Sequence, residues 1–152
     1  MPFTNEEFEE LLSDPDKIVA GDVKWCDDED HSPAKEFTLD VATSKGHPLF
    51  VRGSYNHEAK ALSYVMILKG TGRVYALDLG KDHRNPSTGQ LVGEKHKHRW
   101  SEENRDKEAY VPKDITEPAT DPPAVWKQFC VEAGLKHEGD FPSPVPQPGF
   151  FE

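Results

Sequence analysis

Three of the seven histidines, His83, His96 and His98, fall within sixteen residues, in a stretch (78–100) that is chemically unlike the rest of the chain. Imidazole titrates near neutrality, so one ring can accept a proton while a second donates one. Neutral imidazole is also a common ligand for transition ions. In a strand, residues two apart point the same way. Glu94, His96, His98 and Trp100 are therefore expected on one face of a strand, and Lys95, Lys97 and Arg99 on the other. A strand with imidazoles on one side and cations on the other is not patterned to fill a core.

Three chemistries compete for these residues. Metal-free RNA cleavage needs a base for the 2′-hydroxyl, an acid for the leaving oxygen and cations for the phosphate. His83, His96 and His98 would supply the acid and base and Arg84 the bidentate phosphate contact, with Lys97, Arg99 and Tyr110 binding substrate. Parity already sets Lys97 away from the histidines, which favours Arg84. An H-x-H on a strand is equally a metal-ligand spacing, with Glu94, His96 and His98 as the ligand set and His83 or Asp78 as alternatives. The third reading is a polar edge strand whose charges discourage sheet-to-sheet aggregation. The leading functional expectation is an RNA-directed enzyme that needs no cofactor. A non-catalytic interaction domain is the alternative, and a metal-binding protein the third.

Charge distribution bears on partners. The chain carries 18 Lys and Arg against 28 Asp and Glu, a net charge of −10 that at first sight argues against nucleic acid. Eleven of those acids, with only two lysines, lie in residues 1–31, whereas 81–99 holds five bases and two acids. RNA suits the basic middle, and a basic protein partner suits the acidic front. The N-terminal MPFTNEEFEELL resembles neither a secretory signal nor a transit peptide, and no apolar run reaches a membrane span of about 18 residues, so a cytoplasmic location away from the membrane is expected. Cys26 and Cys130 show no metal-type spacing and are expected as reduced core thiols. No P-loop, GxGxxG, GxSxG or CxxC is present.

The elements that must position the histidines are legible in the periodicity. Thr4 with Glu7 caps a short helix carrying Phe8, Leu11 and Leu12, which Pro15 stops. Residues 17–26 suit a strand interrupted at Gly21. Strands are expected over 36–43, 48–55, 62–68 (the central one), 73–79, 91–100 and 109–111, most of them joined by short turns as in an antiparallel meander. Asp121, Pro122, Pro123 and Gly134 bracket a helix whose Val125, Trp126, Phe129, Cys130 and Ala133 make one apolar stripe. These elements predict an α+β domain over 1–140: a curved antiparallel sheet of about five to seven strands, with the C-terminal helix across one face and the N-terminal helix at a margin. Residues 141–152, with prolines at 142, 144, 146 and 148, read as a proline-rich tail.

From Leu77 to Trp100 the string LDLGKDHRNPSTGQLVGEKHKHRW resembles the pattern of a small uncharacterised bacterial domain-of-unknown-function family. That pattern runs from a strand ending Leu-Asp-Leu-Gly through His-Arg-Asn-Pro and a glycine to a strand with His-x-His. Here these are Leu77 to Gly80, His83 to Pro86, Gly89 or Gly93, and His96 with His98. The resemblance covers about half the chain and leaves out the acidic front and the proline tail. It carries no established activity. Small bacterial families of this kind are sometimes linked to toxin–antitoxin or phage-defence loci, and that implies an RNA-directed role by analogy.

Overall fold

The alternation of Phe37, Leu39 and Val41 against polar neighbours produces an eight-residue strand with its apolar side chains turned to one side. The computed structural model describes residues 3–146. Helix α1 (Asn5–Ser13) is followed by β1 (Lys17–Ala20), β2 (Cys26–Asp27), β3 (Lys35–Ala42), β4 (Leu49–Asn56), β5 (Ala61–Leu68) and β6 (Gly72–Leu79). Then come β7 (Lys95–Arg99), β8 (Ala109–Tyr110), α2 (Pro122–Ala133) and β9 (Leu135–Glu138). Among the described residues the nine strands form one open sheet in the order β8-β7-β6-β5-β4-β3-β1-β9, with β2 paired to β3 off that path. Every pairing is antiparallel except that of β1 with β9. The expected α+β architecture, a curved, mainly antiparallel sheet with two helices, is the architecture found.

One face of the sheet is the core. Tyr64 of β5 packs edge-on to Trp126 of α2 with ring centroids 5.1 Å apart, and Tyr75 of β6 stacks on Phe129 at 5.3 Å. Asp121 caps α2 by accepting from the Ala124 amide, and Gly134 ends it in the left-handed region at φ 66°. Helix α1 buries Phe8, Leu11 and Leu12, and Thr4 caps it with its hydroxyl on the Glu7 amide. Its C-terminal carbonyls are satisfied by a buried lysine: Lys17 Nζ donates to Leu11, Leu12 and Asp14 oxygens at 2.7, 2.9 and 2.6 Å.

Gly53 sits opposite Phe37 in the β3–β4 ladder, and the phenyl ring lies where a Cβ on residue 53 would be. That ring is fixed by edge contacts with Trp25 and Trp126, so it cannot step aside. Gly53→Ala is expected to destabilise the fold by about 1–3 kcal/mol through overpacking, read as a lowered urea midpoint with an unchanged slope.

Several elements depart from the sequence expectation. The strand expected over 91–100 is confined to Lys95–Arg99, because Gly89 and Gly93 take left-handed φ of 72° and 116° and keep 81–94 irregular. Residues 135–138, past the helix exit expected at Gly134 and assigned no element from the sequence, form β9. There His137 Nδ1 accepts from the Trp126 indole at 3.2 Å and Nε2 donates to the Gly21 carbonyl at 2.8 Å. Cys26, expected in the core, is exposed, and Cys130 is half-buried; both are free thiols. The start of the proline segment is packed: the Trp25 indole donates to the Pro142 carbonyl, and Phe141 stacks on Trp126 at 5.3 Å. Pro148 and the rest of 147–152 lie outside the described residues. No helix among the described residues is long and apolar enough to cross a membrane.

Candidate metal centre

Strand register builds the centre. Glu36 pairs with Ser54, Ser54 with Ser63, Ser63 with Asp78 and Asp78 with His96, so a polar row crosses five strands on the face opposite α2. One rung along, His98 pairs with Ala76, which places its ring beside that of His96. His83 reaches the same spot from the irregular segment between β6 and β7. The ring centroids stand 5.5 Å apart for His83–His96, 4.6 Å for His83–His98 and 5.0 Å for His96–His98. One donor atom from each histidine lies within 4.8 Å of the other two.

Each ring is oriented by a definite partner. His83 Nε2 donates to the Lys107 carbonyl at 2.7 Å and leaves Nδ1 free. His96 Nδ1 donates to the Gly93 carbonyl at 2.9 Å, while Nε2 faces Asp78 Oδ2 at 3.2 Å. His98 Nε2 lies 3.6 Å from the same carboxylate oxygen, and its Nδ1 is buried without a hydrogen-bond partner. The other Asp78 oxygen accepts from the Ser63 hydroxyl at 2.5 Å. His96 and His98 are only 2% and 1% exposed, and His83 is half-buried.

The electrostatics divide the two buried histidines. Burial pushes His98 down to about 4, aided by the nearby Arg73 charge. Burial also opposes charge on His96, but the Asp78 hydrogen bond, the Gly93 carbonyl and the Asp78 and Asp82 charges outweigh it, and its pKa is raised. For Asp78, burial would raise the carboxyl; the bonds from His96 and Ser63 and the charges of His96 and Arg73 win and hold it at about 2.

The HRNP string acquires a structural meaning. His83 enters the cluster, while Arg84 stays exposed and donates to the Gly89 carbonyl within the same loop. The Asn85 amide grips β8 on both sides, donating to the Ala109 carbonyl at 2.9 Å and accepting from its N–H at 2.7 Å. That bidentate grip pins the 81–94 segment to the sheet and covers the free edge of β8.

Not every expected site residue comes to this place. Glu94 is exposed and lies outside the cluster, and His83 stands where Glu94 was expected. Lys97, Arg99 and Tyr110 are on the opposite, helix-covered face. Lys97 is wholly buried there, donating to Asp114 at 2.6 Å and Glu132 at 3.0 Å over the Tyr75 ring. Arg99 faces Glu9 and Glu132, and the Tyr110 hydroxyl reaches Glu132 at 3.3 Å. Ser63 was missed: a serine in a nearly all-apolar strand signals only that one position tolerates polarity.

The chain belongs to a family described as "Family of unknown function (DUF6978)", which it matches over residues 3–135. The match takes in the whole histidine cluster and also the acidic front, which the LDLG-to-HxH resemblance had left out; the proline segment lies beyond it. No curated protein and no solved structure matches the chain.

Proposed function

We propose that this is a metal-binding protein whose His83–His96–His98 cluster holds a divalent transition ion of the zinc type. The observation that carries this reading is the convergence of three imidazoles, each with a donor atom within 4.8 Å of the other two. Two of the rings donate their other N–H to a backbone carbonyl, which is how metal-ligating histidines are commonly oriented. The burial of His96 and His98 suits a bare ion rather than a phosphodiester, which needs room around both rings. Zinc titrated calorimetrically into chelator-stripped protein should bind at one ion per chain, and His96→Ala and His98→Ala should each abolish that heat. A wild-type protein that takes up no zinc would sink the reading.

A second reading, RNA cleavage by metal-free acid–base chemistry, draws support from the opposed shifts of His96 and His98. One ring is biased toward imidazolium and the other toward the neutral base, the division of labour such catalysis uses. Arg84 would have to leave Gly89 to reach phosphate. Cleavage of a mixed RNA pool that survives chelator and is lost in both histidine variants would place this reading above the metal one.

A further inference from the structure

We infer that Asp78 is a fourth ligand, so that the centre is a closed N3O shell around a structural ion, and that this ion fastens the 81–94 segment to the sheet. The inference rests on the metal reading above and adds to it the ligand that completes the shell and the work the ion does.

The geometry of the carboxylate is the first support. Two donors on a tetrahedral ion with bonds of about 2.0–2.1 Å stand about 3.3–3.4 Å apart. Asp78 Oδ2 lies 3.2 Å from His96 Nε2 and 3.6 Å from His98 Nε2, separations that bracket that value. Its other oxygen is held by Ser63, which fixes the carboxylate plane and leaves Oδ2 aimed at the imidazoles. A ligating carboxylate is itself usually hydrogen-bonded in this way.

The second support is where the four donors come from. Asp78, His96 and His98 lie on paired strands in the body of the sheet, so ladder hydrogen bonds set their positions before any ion arrives. His83 alone comes from the irregular segment. That segment is otherwise attached by hydrogen bonds alone: His83 to the Lys107 carbonyl, Asn85 to Ala109, the Ser87 amide to Glu108, and the Gly93 carbonyl to His96. An ion gripping His83 would add a stronger link from the segment to the body of the sheet. The three histidines converge by themselves; with Asp78 as the fourth donor, a site with two rings almost sealed from solvent would leave no open position, the mark of a structural rather than a catalytic zinc centre.

Cobalt(II) titrated into the stripped full-length protein is the direct probe, because four-coordinate cobalt absorbs visible light far more intensely than six-coordinate cobalt. The wild type should give the intense bands. Asp78→Asn should still bind through its histidines, but with affinity reduced by about tenfold or more and an altered spectrum. Amide hydrogen exchange over 81–94 should slow on zinc addition in the wild type. Pale six-coordinate bands, an Asp78→Asn titration matching the wild type, or unchanged exchange over 81–94 would each overturn the inference while leaving the three-histidine reading standing. Absence of any cobalt binding by the wild type would remove both. If Asp78→Asn fails to fold, the wild-type spectrum and the exchange data decide.

Discussion

Zinc supplied at a hundredfold excess over its dissociation constant should stabilise the protein against unfolding by about 2.7 kcal/mol, since an ion held only by the folded state adds its binding free energy to folding. In a chain of this length that corresponds to a rise in melting temperature of roughly 5–10 °C. The gain should vanish with chelator and in His96→Ala. It should also shrink as pH falls, because protons compete for the imidazoles. Without metal the two buried histidines pull in opposite directions. The raised pKa of His96 makes its pairing with Asp78 fully stabilising on the acid side and weaker as pH rises through that pKa. His98 is pushed from 6.5 to about 4, so between those values the unfolded chain binds a proton the folded chain refuses, and stability falls as pH drops through that window. Melting curves from pH 4 to pH 8, with and without zinc, test both signs. A melting temperature indifferent to zinc at every pH would count against the metal centre.

On the other face of the sheet, Glu132→Ala should destabilise by about 2–3 kcal/mol and Lys97→Met by under about 1 kcal/mol, although the two residues are partners. Glu132 gathers the Tyr75 hydroxyl, the Lys97 ammonium, the Tyr110 hydroxyl and the edge of Arg99. Removing it leaves a wholly buried ammonium with Asp114 as its remaining anion. Removing the lysine instead leaves two carboxylates whose side chains are 33% and 41% exposed and already hydrated, and methionine refills the space. The partial exposure of Glu132 is why its expected loss falls below that of a fully buried pair. Urea denaturation of the two variants reads the asymmetry directly; equal losses would mean that packing, not charge burial, governs this face.

The strands of the meander were legible because alternation is a one-dimensional signal: Phe37, Leu39 and Val41 announce their face without reference to anything else. Helix α2 was legible for the same reason, with Asp121 and Gly134 marking its ends. The histidine cluster was half legible. His96 and His98 follow from spacing alone, and His83 from being a third imidazole nearby. Asp78 could be named as an alternative ligand but not placed, because its position opposite His96 depends on the β6–β7 register, which is set by the whole ladder and not by any local string. Lys97 misled for a related reason. Its parity was right, yet nothing near it in sequence shows that Glu132 of a distant helix would make a buried lysine tolerable. β9 was invisible because LKHE has no strand pattern of its own; four residues at a sheet edge take their conformation from β1.

That pairing has a consequence for how the chain is made. Synthesis runs from the N-terminus, so β1 emerges long before β9, the strand that lies parallel to it. The hairpins from β3 to β6 can close as they appear, each joined to the next by a short turn. β1 can meet β3 early as well, but its outer edge stays bare until the last part of the domain is free of the ribosome. A nascent chain stalled before residue 135 therefore carries an exposed strand edge that the finished protein does not, and it is that intermediate, rather than the native fold, that would need a chaperone's cover.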